Sequence, residues 1–244
     1  MTLRVLAAAL LGLVSAPVMA AECRDDVFDG TSYAICEVDM TREDLRVFLY
    51  DDAGTPYGYF GTLDNALEGK LGFAMNAGMY HDDRRPVGLY VKDGQEVQGV
   101  ITSAGPGNFG LLPNGILCLR QGRADVFETS KFVAQAPHCR DATQSGPMLV
   151  IDGDLHPRFL VDSTSRYVRN GVGTSTDGTR AVFAISNRPV TFHQFGRLFR
   201  DHLNLNNALY FDGNISRLRA PDLGRSDVGF GALGPIIGVV KPAE

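Results

Sequence analysis

The chain has little lysine and no excess of positive charge. Lys70, Lys92, Lys131 and Lys241 are the only lysines among 244 residues, and the formal net charge is -5. That balance leaves no electrostatic footprint for nucleic acid. No segment beyond the first twenty residues is apolar for the roughly 20 residues that a membrane-spanning helix needs. The cysteines form no Cys-x-x-Cys pair, which argues against a zinc site. No G-x-S-x-G elbow and no Ser-x-x-Lys motif is present, which argues against a serine nucleophile. Repeats, low-complexity tracts and linkers are also missing, so the chain reads as one domain. Arginine carries most of the positive charge. Its fixed fork of donors suits a carboxylate or a phosphate better than lysine does.

Residues 1–20 have the pattern of a secretory signal peptide. Arg4 supplies the positive start, Val5 to Val14 is an uncharged apolar stretch, Pro17 breaks it, and Val18-Met19-Ala20 offers a cleavage site. Cleavage after Ala20 leaves a mature domain of residues 21–244, exported to the periplasm or beyond, with no membrane span. Cys23, Cys36, Cys118 and Cys139 all survive that cut. An even number in an exported chain argues for two disulfides. Sequence neighbours suggest Cys23–Cys36 and Cys118–Cys139, one of three connectivities.

Most of the mature chain reads as short strands joined by turn dipeptides. Leu45, Val47 and Leu49 alternate with polar positions, as in a half-buried strand. Asp93-Gly94, Asn114-Gly115, Gln121-Gly122, Asp152-Gly153 and Asp177-Gly178 punctuate apolar runs, a hairpin signature. Helices are few. Thr62–Gly69 predicts a short one. Thr191–His202 predicts a clearer one, with a Thr191/Gln194 capping box, a Val190/Phe195 staple and an apolar face of Phe192, Phe195, Leu198 and Phe199. His193 and His202 do not share a face at ligand spacing. The fold class expected is α+β, a single domain with a mixed, mostly antiparallel sheet and few helices.

Several segments could carry chemistry. Gly105-Pro-Gly-Asn-Phe-Gly110 matches a dinucleotide fingerprint, but Pro113 and Asn114-Gly115 follow where a helix should start. It reads instead as a glycine-rich loop that could offer Asn108 to a ligand. Leu71 to Met75 runs into Asn76-Ala77-Gly78-Met79-Tyr80-His81, while Asp82 and Asp83 look like ordinary loop charges. Ser145, in Thr-Gln-Ser-Gly-Pro, suits binding rather than attack. Arg166 and Arg169 lie three apart, so in a strand they face opposite sides and at most one enters a given cleft. Ala208 to Phe211 drives an apolar run into Asp212-Gly213. A carboxylate at the end of a buried strand is costly unless it has partners or a task.

Taken in order, Asn76-Ala-Gly-Met-Tyr, Pro86-Val-Gly-Leu-Tyr, Gly107-Asn-Phe, Gln144-Ser-Gly-Pro-Met, Ser165-Arg-Tyr-Val-Arg-Asn-Gly-Val-Gly and Leu209-Tyr-Phe-Asp-Gly resemble the phosphodiester glycosidase family. The resemblance covers roughly residues 40 to 240. The family commonly has Asn-Gly-Gly-Met-Phe in place of Asn76 to Tyr80, and Asp-Gly-Gly in place of Asp212-Gly213-Asn214. It includes enzymes that remove N-acetylglucosamine from a phosphodiester. The resemblance implies an exported hydrolase of a sugar-1-phosphodiester, with a phosphorylated carbohydrate or glycoconjugate as partner. Asp212 would be the nucleophile or water-activating base, Arg166 would neutralise phosphate, and Asn76 would complete the catalytic set. Gly78, Asn108, Ser145, Gly146, Asn170, Gly213 and Ser216 would bind substrate. A non-catalytic module for phosphorylated glycans is the alternative, and hydrolysis at phosphorus is a third reading. No cofactor is called for. A divalent metal stays open, since Asp152-Gly153-Asp154 is a calcium-like turn that lacks the full loop pattern.

Overall fold

The computed structural model describes residues 21–242. The signal-peptide segment, residues 1–20, lies outside the described residues. The chain runs β1 (Glu22–Phe28), β2 (Thr31–Asp39), β3 (Asp44–Phe48), α1 (Phe60–Ala66), β4 (Leu71–Asn76), β5 (Tyr90–Lys92), β6 (Gln95–Gln98), β7 (Gly115–Arg120), β8 (Arg123–Glu128) and α2 (Thr129–Gln135). It continues through β9 (Asp141–Ser145), β10 (Met148–Ile151), β11 (Asp154–Leu155), β12 (Asn170–Thr174), β13 (Arg180–Ser186), α3 (Phe192–Arg197), β14 (Asn207–Asp212), β15 (Leu218–Ala220), β16 (Arg225–Ser226) and β17 (Ile236–Val240).

These strands form three sheets. The first has the order β1-β2-β13-β12-β14-β10-β11, the second β16-β15-β4-β17-β3, and the third β6-β5-β9-β7-β8. The α+β expectation is met, and every pairing between named strands is antiparallel.

One core joins the sheets. Cys36, Phe183 and Phe211 of the first sheet meet Met75 and Ile237 of the second and Leu117 and Val126 of the third. Alternate residues of the first sheet, including Ile35, Val182 and Tyr210, face the other way, beneath Phe195, Leu198 and Phe199 of the α3 segment. Burial on both faces explains why these strands read as continuous apolar runs rather than alternations. Phe60 and Leu63 of α1 cover the outer face of the second sheet.

Both disulfides follow the neighbour pairing, Cys23–Cys36 and Cys118–Cys139. The first links directly opposed residues of β1 and β2. The α3 cap forms as expected. Thr191 accepts the Gln194 N–H, and Gln194 accepts the Thr191 N–H. The helix then widens into a π-turn over Leu198–His202.

Three details differ from the sequence expectation. First, α1 starts two residues earlier and ends at Ala66, because Phe60 and Leu63, three apart, are the buried pair. Second, α2 was not expected. Its first turn is capped by Glu128, whose side chain accepts the Ser130 and Lys131 N–H groups, and glutamate is an uncommon cap. Third, Asn114-Gly115 is not a hairpin turn. Gly115 already pairs in β7, and Asn114 is buried. Its amide donates to the Phe109 carbonyl and accepts from the Thr129 hydroxyl. Residues 101–114 therefore form a loop, pinned at its base, rather than a strand.

Candidate active site

Strand ends from all three sheets converge around Asp212. β14 carries an extra residue just before it. Asn170 opposes Asp212 while Gly171 opposes Tyr210, which leaves Phe211 unmatched. Such bulges re-aim the residues that follow and recur beside active sites.

Two buried amides tie the ends together. Asn170 Nδ2 donates to the Asn76 carbonyl at 3.1 Å and to Asn76 Oδ1 at 3.0 Å. The Arg217 backbone N–H also donates to Asn76 Oδ1, at 2.8 Å. Asn170 Oδ1 accepts the Asp212 N–H at 3.1 Å. Ser145 donates to the Phe211 carbonyl at 3.1 Å, and Ser216 donates to the Asp212 carbonyl at 3.0 Å. Asn76, Ser145 and Asn170 are fully buried. They hold the end of β14 from behind. Asn76 Nδ2 is a buried donor without a partner, a cost that a structure tolerates more readily at a working site than in a plain core.

The Asp212 side chain is pinned on one oxygen. Oδ1 accepts from the N–H groups of Gly213 at 2.5 Å, Asn214 at 2.7 Å and Ile215 at 3.3 Å. Among the described residues, Oδ2 has no hydrogen-bond donor. Asp212 lines a cleft of about 890 Å³, whose walls include Tyr80, His81, Asp82, Arg84, Asn108 and Asn214. A cleft of this size suits a small organic ligand.

A tight turn forms one wall. His81 N–H donates to the Arg85 carbonyl and Arg84 N–H to the His81 carbonyl. The Arg84 guanidinium sits over the Tyr80 ring, 5.3 Å from its centre, and has no carboxylate partner among the described residues. Burial first, and then the Asp212 charge, raise the Tyr80 hydroxyl above its ordinary pKa, so it stays a proton donor. The loop from Ser103 to Phe109 forms the opposite wall.

Of the residues singled out in the sequence, Asp212 and Asn108 line this cleft. Asn76, Asn170, Ser145 and Ser216 do not line it but hold the strand end that bears Asp212, and Gly213 follows Asp212 without lining it. Gly78 is buried at φ +79°, packed against Thr143. Gly146 is buried against Asn114. Neither residue lines the cleft.

Arg166 is placed elsewhere. It is exposed, and its guanidinium donates to Gln194 at 2.8 Å. Arg169 is 1% exposed and serves the fold. It stacks on Phe192 at 3.6 Å and donates to the Val190 and Ser165 carbonyls and the Tyr210 hydroxyl. The expectation that at most one of the two arginines enters the cleft holds in its extreme form, since neither lines it.

Sequence reasoning missed Arg84 and undervalued Asp82. Their one signal was position, directly after the Asn76 segment. Among the described residues, no group of three or more His, Cys, Asp or Glu side chains is placed to hold a metal.

A family model described as phosphodiester glycosidase matches residues 69–220. The uncharacterized Escherichia coli protein YigE is 32% identical over 188 residues, covering 74% of this chain and 71% of that protein. The zebrafish N-acetylglucosamine-1-phosphodiester alpha-N-acetylglucosaminidase catalytic domain, solved auto-inhibited by its pro-peptide, superposes with a TM-score of 0.64. It is 15% identical, and the match covers 94% of this chain and 85% of that one. A hypothetical protein from Synechocystis gives a TM-score of 0.60 at 13% identity, over 91% of this chain and 62% of that one. The two structural likenesses establish the fold. With the family match across more than half of its length, the chain belongs to the phosphodiester glycosidase family.

Proposed function

We propose that this protein is an exported hydrolase that cleaves the glycosyl–phosphate bond of a sugar-1-phosphodiester, of the N-acetylglucosamine-1-phosphodiester kind. The observation that carries the reading is the Asp212 carboxylate, with one oxygen fixed by three backbone donors and the other unpaired in a cleft. Family membership and the two disulfides, which fit an oxidising compartment, support it.

In the proposed reaction a water deprotonated by Asp212 Oδ2 attacks the anomeric carbon, or Oδ2 attacks it directly and water then hydrolyses the resulting glycosyl ester to free the sugar. The carbon–oxygen bond to phosphate breaks, and its electron pair leaves on the phosphate oxygen as a phosphomonoester. Such a leaving group needs little protonation, so the usual two-carboxylate plan relaxes to one carboxylate and a cation. Arg84 takes the role of that cation in place of Arg166, because it lines the cleft without a carboxylate partner. Its planar fork suits a phosphate. Asn108, which lines the cleft, is the side chain proposed to donate to substrate oxygens. Asn76, Asn170 and Ser145 orient the strand end that bears Asp212.

The test uses the mature chain and a panel of sugar-1-phosphate alkyl esters that includes N-acetylglucosamine. Release of free sugar is expected, with oxygen-18 from water appearing in the sugar. Label in the phosphate would mean attack at phosphorus and would overturn the assignment. Tight binding of the esters with no turnover would convert the protein into a binding module.

A further inference from the structure

Glu43 stands in the turn between β2 and β3, far in sequence from every cleft residue. Its side chain is half-buried, and both of its oxygens accept backbone donors. Oε2 takes the Asp39 N–H at 2.6 Å, and Oε1 takes the Ala21 N–H. The Ala21 end of this contact is closed in as well. Ala21 is 1% exposed and belongs to the shared core that also holds Met40 and Cys36. Two residues on, the Cys23–Cys36 disulfide ties the start of β1 to β2, which keeps the backbone at Ala21 close to the turn.

Among the described residues, Glu43 has no basic side chain as partner. The charges around it are taken by others. Asp39 accepts from the Thr41 N–H and hydroxyl. Glu37 pairs with Arg180, Arg120 with Asp125, and Arg140 with Asp44 and Asp141. Arg42 and Glu22 are exposed. Burial raises the Glu43 carboxyl above its ordinary pKa, against the pull of the Ala21 and Asp39 N–H groups, and the Asp39 charge adds to the rise. A partly buried carboxylate without a cation is costly. The nitrogen it does hold belongs to Ala21, the residue expected to come first once the leader is removed.

We propose that Glu43 is the receptor for the mature N-terminus, so that removal of residues 1–20 gives the folded domain an ion pair that the precursor cannot form. Hydrolysis of the Ala20–Ala21 bond leaves the new carboxylate on the leader and the amine on Ala21, where it takes up a proton. The amide N–H that Glu43 accepts becomes an ammonium at the same place, and the missing cation is supplied by the chain itself. The proposal rests on the exported part of the functional reading, cleavage after Ala20, and not on the reaction.

The experiment starts with the intact mass of the exported protein, which should correspond to a chain beginning at Ala21. In that chain, labelled with carbon-13 alanine, the Ala21 methyl signal follows the titration of the amine. The amine should titrate about one unit above the ordinary range of about 7.7–8.0, and Glu43→Gln should return it to that range. Because the folded value is raised, the stabilisation is complete below the ordinary value and is lost as pH rises through the folded one. A chain with Gly-Ser ahead of Ala21 keeps the N–H but moves the ammonium away. Its folding constant at pH 7, from urea denaturation, should be about tenfold smaller than that of the mature chain. The mature and extended chains carry the test even if Glu43→Gln does not fold. An Ala21 amine that titrates in the ordinary range, or equal folding constants for the two chains, overturns the proposal alone. A protein that keeps residues 1–20, or starts at another residue, overturns it together with the export reading. None of these readouts involves hydrolysis, so failure of the proposed reaction leaves the proposal standing.

Discussion

Phe-Asp-Gly occurs twice at a strand end, as Phe28-Asp29-Gly30 after β1 and as Phe211-Asp212-Gly213 at the end of β14. At the first, Asp29 and Gly30 take φ +47° and +70°, and the chain folds straight back into β2. The Asp29 carboxylate is exposed and meets Arg197. At the second, neither residue has positive φ, the chain leaves the first sheet, and β15 pairs with β4 in the second sheet. One tripeptide makes a hairpin, and the other makes a bulged strand end with a carboxylate turned into a cleft. The difference lies in where the next strand pairs. A hairpin uses the dipeptide's backbone freedom, and a sheet-to-sheet crossing uses its side chain.

The sharpest way to break this comparison is to neutralise each carboxylate. Asp212→Asn keeps an oxygen that can accept the three backbone N–H groups, so melting temperature should hold. Catalysis should fall by about 10²–10⁴-fold. Asp29→Asn should leave kcat unchanged. Equal activity in the two variants would remove Asp212 from the mechanism.

The glycines test the same contrast. At Gly213 a Cβ would stand 2.2 Å from the Tyr210 hydroxyl oxygen, so Gly213→Ala must shift the turn that fixes Asp212. A misplacement of that kind costs about 10²-fold in kcat. Gly30 has open space but a left-handed backbone. Gly30→Ala should therefore lose about 1–2 kcal/mol of stability and no activity. Urea denaturation beside steady-state kinetics separates the two outcomes.

Asn170→Ala removes the amide that joins Asn76 to Asp212. It strands the Asp212 N–H and should cost about 1–3 kcal/mol, read as a lower urea midpoint. A variant with unchanged stability would show that the amide pair does not organise the site.

The smallest effect is expected at Asp177-Gly178, where the carboxylate serves its own turn. The Ser175 hydroxyl first, then the Thr179 N–H and hydroxyl, hold Asp177 down at about 2, from 3.8. Because the folded value is depressed, its contribution is complete above the ordinary 3.8 and is lost as pH falls through about 2. Asp177→Ala should flatten the acid limb of melting temperature between those values. An unchanged limb would mean that the turn does not depend on this charge.

Much of the fold was legible in the sequence. Apolar runs located most strands because the first sheet is buried on both faces. The capping box located α3, and neighbour spacing located both disulfides. Glu128 concealed α2, since an acidic residue ending a strand is not a strong helix-start signal. Asn114-Gly115 looked like a turn because the partners of the Asn114 amide, Phe109 and Thr129, are made near by folding.

The site was half legible. Asn76, Asn170, Ser145 and Asp212 stand at strand ends in an order that sequence alone could list. Arg166 and Arg169 could not be told from Arg84, because only packing shows which guanidinium stacks on Phe192, which reaches Gln194 and which overlooks the cleft.

The sequence by itself determined the apolar strands, their turn dipeptides and the paired cysteines. These depend on local periodicity and on residues whose preferences are intrinsic. The tertiary structure alone decided which Asp-Gly is a hairpin and which turns its carboxylate into the cleft. Both share the local Phe-Asp-Gly preference, and only pairing with a distant strand selects between them.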